Sequence, residues 1–161
     1  MIGHPRSTAA NGSHRYPVRV YYEDTDAGGV VYHATYLRFA ERARTEALRE
    51  LGIPHAELVE RFGLMFMVHR AEVDYLHAAR PDDSLIVETE ALAVGGATVS
   101  LRQTVHGPQG PCAVLHIRLA CVRLGGNKPG RIPPRWRETL AAMRDAGAHR
   151  EAPARGPRKG I

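Results

Sequence analysis

The stretch DTDAGGVVYHATYLRFAERARTEALREL, residues 24–51, decides the fold because a short polar loop in it runs directly into one long amphipathic segment. Glycines at 28 and 29 mark the loop, and apolar residues then recur every three or four positions, the period of an α-helix. The pattern predicts a helix over 34–51, closed by Gly52 and Pro54. Its predicted buried face is formed by Tyr36, Ala40, Ala43, Ala47 and Leu51.

Three of those five positions are alanine, so the helix can lie close against a sheet, and the flanking sequence supplies one. Residues 17–24 alternate between apolar and polar side chains, which predicts a half-buried strand before the loop. After the long helix we expect a short helix over 55–62 and then four strands joined by short turns. The four strands are predicted over 67–77, 85–94, 97–106 and 113–124, and a last helix over 135–146.

Short connections make consecutive strands antiparallel neighbours, so the sequence predicts an α+β protein with an antiparallel sheet wrapped around one long helix. This layout is that of the hotdog fold. One helix covers only one face of such a sheet, and pairing of sheets between subunits would complete the burial. The chain of 161 residues has room for one domain of this kind.

The net charge of +5 lies at the two ends of the chain. Residues 1–15 hold two arginines and no acid, and residues 149–161 hold three arginines and a lysine against one glutamate, which leaves the stretch between them neutral. We therefore predict a domain over 16–148 between two disordered tails, 1–15 and 149–161, the second of them basic. Solvated tails explain this charge better than a nucleic-acid surface does, so we expect no nucleic-acid partner.

The apolar runs are only a few residues long, far short of the roughly 20 that a membrane-spanning helix needs, so we expect no integral membrane segment. Residues 1–15 lack the apolar centre that is typical of a secretory signal. Cys112 and Cys121 bracket one predicted strand about 30 Å long, which is too far for a disulfide between them. Two unpaired thiols suit a reducing compartment, and we expect the protein to be cytoplasmic.

The stretch over 21–33 also carries the residues that point to chemistry. Glu23, Asp24 and Asp26 precede the glycines, and His33 stands at the predicted helix start. Free N–H groups at a helix N-terminus can hold a developing oxyanion, and glycine lets the backbone approach a ligand. A carboxylate beside them could attack a carbonyl or activate water. The same residues could instead form a turn in which the aspartates cap backbone amides and the histidine bonds to the backbone.

Residues 24–33 and 41–46 resemble, position by position, the signature of the 4-hydroxybenzoyl-CoA thioesterase family, and most of all its Tol-Pal-associated acyl-CoA thioesterase branch, the YbgC type. The similarity continues through Glu72-Val73-Asp74-Tyr75 and residues 79–83, and it covers roughly residues 17–135. The resemblance implies a hotdog fold that associates as a homodimer or homotetramer. It implies hydrolysis of acyl-CoA thioesters without a metal or another cofactor.

The resemblance also implies roles for single residues. Asp26, the second aspartate of the Asp-x-Asp-x-x-Gly pattern, would be the catalytic nucleophile or the general base for water. His33 would be the second catalytic residue, with its backbone N–H polarising the thioester carbonyl, and Asp24 would support the loop. The predicted substrate-binding residues are Gly28, Gly29, Tyr32 and three residues that line an acyl tunnel, Met65, Phe66 and Met67.

Two other functions fit parts of the pattern. A hotdog dehydratase acting on acyl carriers places its catalytic histidine and acid on the helix, which is not the loop pattern found here. A scaffold beside the cell-envelope Tol-Pal machinery, with weak or no activity, is the second alternative, although Asp26 and His33 argue against it. The nine histidines include no zinc-binding spacing, so we expect no metal site.

Overall fold

Five antiparallel strands wrap around one long helix in the computed structural model, which describes residues 12–126 and 128–151. The arrangement matches the predicted α+β class, and each predicted helix and strand is present, although several begin or end at other residues. In chain order the elements are β1 (His14–Arg19), a 3-10 turn (Tyr22–Asp24), α1 (Thr35–Glu50), α2 (His55–Phe62), β2 (Leu64–Tyr75), β3 (Ser84–Val94), β4 (Thr98–Gly107), β5 (Gly110–Arg123) and α3 (Pro134–Glu151).

Helix α1 forms because its apolar face can be buried at close range. Every position of the predicted stripe except the last is buried, and Phe39 joins them with no exposed surface. Leu51 is the C-cap residue, and Gly52 follows it with a φ of +76°, a conformation that favours glycine. The alanines let α1 lie across β1, β3 and β4 without a bulky layer between helix and sheet.

The strand order along the sheet is β1-β3-β4-β5-β2. The expectation that β2 and β3 are neighbours is therefore wrong, because β2 pairs with β5 while β3 pairs with β1 and β4. Residues 76–83 make the crossover, and a connection of that length reaches about 27 Å when extended, enough for the roughly 14 Å between strands three places apart. Leu76 and His77 fix its start by donating to the carbonyl of Cys112 at 2.8 and 3.2 Å.

The face of the sheet that meets α1 is apolar, and the opposite face is polar. Side chains of β3, β4 and β5 alternate between buried and more exposed positions along each strand, as a sheet with one covered face requires. On the outer face Glu88 pairs with Arg15 at 3.0 Å, and Glu90 pairs with Arg102 at 2.9 Å. The core therefore lies entirely on the side of the helices.

Helices α2 and α3 extend the cover on the side of α1. Trp136 of α3 is buried in the same core, and its ring lies 5.4 Å from that of Phe62 at the end of α2. Arg135 joins the helices by donating to Glu57 at 3.2 Å and to the carbonyl of Gly52. Among the described residues no helix is both long and apolar enough to cross a membrane.

Strand β1 begins before the predicted domain boundary at residue 16. Ser13 and His14 fall in the predicted N-terminal tail but are buried, and His14 is the first residue of β1. Its ring Nε2 lies 2.8 Å from the carboxylate of Glu50 at the end of α1. The start of β1 could not be predicted from the sequence, because no apolar alternation precedes Tyr16. At the other end α3 continues to Glu151, and residues 1–11 and 152–161 of the two predicted tails lie outside the described residues.

One buried polar cluster holds α1 to the middle of the sheet. Gln103 on β4 has no exposed surface, and its Nε2 donates to the carbonyl of Ala40 and to Oγ1 of Thr89, both at 2.9 Å. Its Oε1 accepts a hydrogen bond from the guanidinium of Arg44 at 3.0 Å. Burial lowers the pKa of Arg44, so this cation depends on the amide that faces it. Gln103 thus satisfies polar groups from a helix and from a neighbouring strand at once.

Replacing Gln103 by methionine should destabilise the fold, because the side-chain length is kept while Arg44 and Thr89 lose their partner. We expect the free energy of unfolding to fall by about 2 kcal/mol, the usual cost of leaving buried polar groups unpaired. Urea denaturation measures this difference. Thr104→Val changes the next residue, which faces outward, and should cost less than about 0.5 kcal/mol. Equal losses in the two variants would contradict the role given to Gln103.

Candidate active site

A tight turn follows β1 and fixes the first carboxylate. The predicted strand over 17–24 ends at Arg19, and Tyr22–Asp24 form a 3-10 turn in which the N–H of Asp24 donates to the carbonyl of Tyr21 at 3.0 Å. The Asp24 side chain is buried, and its Oδ2 accepts from the N–H of Tyr21 at 2.9 Å. Asp24 is therefore a capping residue, which is the structural alternative that the sequence left open for both aspartates.

Asp26 lies in the next turn and keeps an exposed carboxylate. Thr25 and Val31 form an antiparallel bridge that closes the loop, and the N–H of Asp26 donates to the carbonyl of Val30 at 2.9 Å. Its Oδ1 accepts from the N–H of Gly28 at 2.8 Å, which makes an Asx turn. Within the described residues Oδ2 has no hydrogen-bond partner, so one carboxylate oxygen is available to a reacting group.

The start of α1 leaves main-chain donors unused. The N–H of Tyr32 donates to the carbonyl of Asp24 at 2.9 Å, and that of Thr35 donates to Tyr32 at 2.8 Å. In the part of the chain that the structure describes, the N–H groups of His33 and Ala34 have no acceptor. They lie at the positive end of the helix dipole, and no acidic residue occupies the first turn of α1. Both can therefore bind an oxygen that carries negative charge.

The exposed side chain of His33 belongs to an aromatic cluster formed with Tyr32, Tyr36 and Tyr75. Its ring centroid lies 4.4 Å from that of Tyr32 and 6.4 Å from that of Tyr75, and the Tyr75 hydroxyl donates to the His33 carbonyl at 2.8 Å. The hydroxyl of Tyr36 accepts from the N–H of Ala79 at 3.3 Å, and burial raises its pKa. Sequence reasoning missed the contact of Tyr75 with His33, because it joins residues 42 positions apart and strand alternation says nothing about it.

The predicted tunnel residues, Met65, Phe66 and Met67, lie elsewhere in the single chain. They stand at the start of β2, whereas Tyr75 and its contact with His33 lie at the end, about 30 Å away. Phe66 packs partly against the core, and Met67 is 37% exposed on the open edge of the sheet. One chain thus brings the predicted loop residues together and leaves the tunnel residues apart. The loop residues are Asp26, Gly28, Gly29, Tyr32 and His33.

The loop, α1 and most of the sheet lie in a segment that matches a known protein family. The family model of the thioesterase-like superfamily matches residues 20–140, which include the loop, α1 and four of the five strands. The chain belongs to this superfamily. The predicted resemblance is thereby confirmed, and so is the predicted enzyme class, a thioester hydrolase.

Two named relatives match about three quarters of this chain. The acyl-CoA thioesterase YbgC of Haemophilus influenzae is 50% identical over 118 residues, which are 73% of this chain and 87% of the relative. The acyl-CoA thioester hydrolase YbgC of Escherichia coli O6:H1 is 49% identical over 121 residues, which are 74% of this chain and 89% of that protein. These relatives confirm the predicted resemblance to acyl-CoA thioesterases of the YbgC type.

A solved structure confirms the fold of the thioesterase. The DHNA-CoA thioesterase of Staphylococcus aureus matches it with a TM-score of 0.79 over 86% of this chain and 95% of its own. The two sequences are 21% identical, so this likeness shows the hotdog fold alone.

Gly29 holds the loop before α1 in a conformation that residues with a side chain avoid. Its φ is +75°, and its N–H donates to the carbonyl of Asp26 at 3.0 Å. An added Cβ at Gly29 or at Gly126 would meet nothing within 4 Å, but of the two only Gly29 has a left-handed φ. Gly29→Ala should therefore lower the free energy of unfolding by about 1 kcal/mol, and Gly126→Ala by much less. Urea unfolding of both variants checks this expectation, and equal stabilities would contradict it.

Proposed function

We propose that this protein is an acyl-CoA thioesterase that hydrolyses acyl-CoA to the free acid and CoA, with Asp26 as its catalytic carboxylate. The observation that carries the proposal is an exposed carboxylate, held by the N–H of Gly28, on the same loop as the unused N–H donors of His33 and Ala34. The relatives named above are acyl-CoA thioesterases, and they supply the substrate class.

The N–H donors at the start of α1 bind the thioester carbonyl oxygen and stabilise the negative charge that develops on it. Asp26 then acts in one of two ways. As a nucleophile, its carboxylate attacks the thioester carbon, CoA leaves as the thiolate, and water hydrolyses the acyl-aspartate anhydride. As a general base, it takes a proton from water, and the water oxygen attacks the same carbon while the thiolate leaves. In both routes the CoA thiolate takes up one proton that comes from the water.

The other loop residues shape the approach of the substrate. Gly28 and Gly29 carry no side chain, so the thioester can come close to the backbone. Tyr32 is 47% exposed beside His33 and offers an aromatic surface to the substrate. The ring of His33 orients the attacking water or the leaving thiolate.

The acyl tunnel requires a second copy of the chain. Strand β2 is 12 residues long, lies at the edge of the sheet and is exposed from Met67 to Glu72. Val68 and Tyr75 are each 50% exposed, so apolar side chains stand on a free edge about 40 Å long. A long exposed edge of this kind pairs with another strand, and a second copy of the chain supplies the same strand.

Antiparallel pairing of two β2 strands about their midpoint, near His69, would join the separated parts of the site. Under this two-fold symmetry Leu64–Met67 of the partner subunit lie opposite Glu72–Tyr75, the strand end that contacts His33. The tunnel residues of one chain would then line the acyl group bound at Asp26 of the other. The proposed assembly is therefore a homodimer, or a homotetramer of two such dimers, with each active site at a subunit boundary.

The proposal includes a cytoplasmic location. Cys112 and Cys121 are free and buried, and unpaired thiols fit a reducing compartment. Burial raises the pKa of both thiols, so neither competes with Asp26 as a nucleophile at neutral pH.

Asp26→Asn should keep the fold and lower kcat for acyl-CoA hydrolysis by about two orders of magnitude or more, because an amide neither attacks the thioester nor accepts the proton. Release of free thiol from a panel of acyl-CoAs measures the rate, and circular dichroism checks the fold. Glu23→Gln removes a neighbouring exposed carboxylate outside the proposed site and should keep the turnover of the parent. Near-parent turnover by Asp26→Asn would rule out its catalytic role.

The same panel separates a thioesterase from the two alternative functions. A scaffold without activity would release no CoA from any member of the panel. An acyl-carrier dehydratase would remove water from a hydroxyacyl group and leave the thioester intact.

A further inference from the structure

Tyr75 links the edge strand β2 to the start of α1. It is the last residue of β2, and its hydroxyl donates to the carbonyl of His33 at 2.8 Å. Its ring makes edge contacts with the rings of His33 and Tyr36, at centroid distances of 6.4 and 5.7 Å. The two ring contacts restrain the side chain, so the hydroxyl is held in one direction.

The His33 carbonyl needs this partner because it lies outside the hydrogen-bond ladder of α1. In a regular helix this carbonyl would accept from the N–H of Leu37, four residues later. Leu37 instead donates to Ala34, at 3.2 Å. Within the described residues, the hydrogen bond to the His33 carbonyl comes from the Tyr75 hydroxyl alone.

The peptide bond between His33 and Ala34 is planar, so its carbonyl and its N–H point in opposite directions on one rigid unit. A hydroxyl that holds the carbonyl also sets the direction of the Ala34 N–H, one of the two unused donors at the start of α1. We infer that Tyr75 is a positioning residue that aims the Ala34 N–H at the thioester carbonyl oxygen. The inference rests on the proposed thioesterase function and adds a residue to its oxyanion site.

The effect should fall on turnover rather than on substrate affinity. The thioester oxygen gains its charge in the transition state, so a misdirected donor weakens transition-state binding more than ground-state binding. Tyr75 also lies on the strand that would pair with the partner subunit, so pairing would restrain the strand end that carries the hydroxyl. This connection gives a physical reason for activity to depend on assembly.

Tyr75→Phe keeps the ring and removes the hydroxyl. We expect kcat for acyl-CoA hydrolysis to fall about tenfold, while KM changes by less than about twofold and the sedimentation coefficient is unchanged. Tyr16→Phe is the matched control, because Tyr16 is partly buried on β1 at the other edge of the sheet, and its hydroxyl has no partner among the described residues. An unchanged kcat in Tyr75→Phe, or a loss accompanied by dissociation of the oligomer, would overturn the positioning role.

A measurement on the amide itself separates aiming from a general loss of structure. In 15N-labelled protein, the Ala34 amide signal should shift in Tyr75→Phe only, because the hydroxyl that holds its peptide unit is gone, with the amides in the middle of α1 unchanged. An unaltered Ala34 signal would overturn the inference even if kcat fell. A parent protein that releases no CoA from any acyl-CoA would instead overturn the proposed function, and with it the role of Tyr75 in catalysis.

Discussion

Close burial of the alanine face of α1 against the sheet is the constraint on which the rest of the structure depends. Because the helix lies so near the strands, Gln103 reaches its backbone and donates to the carbonyl of Ala40. A helix that slid or rotated would leave this amide and the guanidinium of Arg44 unpaired in the core, at a cost of about 1–3 kcal/mol for each group. The N-terminus of α1 is therefore fixed in space, and the loop before it must close onto that point.

The loop meets this requirement with ordinary contacts. Asp24 caps the first turn, Thr25 pairs with Val31, and the N–H of Val31 donates to the carbonyl of Ala79 in the crossover at 2.8 Å. The carboxylate of Asp26 and the unused N–H groups of His33 and Ala34 thereby belong to one closed segment. Asp26 and His33 are both exposed in the single chain, so the walls that exclude water and hold an acyl chain must come from elsewhere. A partner subunit paired along the open edge of β2 can supply these walls.

Local patterns in the sequence predicted local structure, and contacts between distant residues escaped them. The apolar period predicted α1, and the short helix predicted over 55–62 is α2, which Gly63 closes with a φ of +60°. The adjacency of β2 and β3 was wrongly inferred from a short connection, because chain length limits reach but does not choose a neighbour. The start of β1 at His14 depends on Glu50 and on strand β3, and neither partner is visible in the residues around it. Asp26 was predicted as a site residue from its place in a family motif, whereas the contact of Tyr75 with His33 required coordinates.

A site shared by two chains is tested most directly by a heterodimer of two defective copies. One tagged copy would carry Asp26→Asn, and a differently tagged copy would carry Met67→Glu, which places a charge in the proposed acyl path. Each homodimer should be nearly inactive, but the heterodimer purified through both tags has one boundary where an intact Asp26 meets an intact Met67. About half of the parent turnover should return there, because a two-fold dimer has two equivalent sites. Turnover no higher than that of the two homodimers would contradict the shared site.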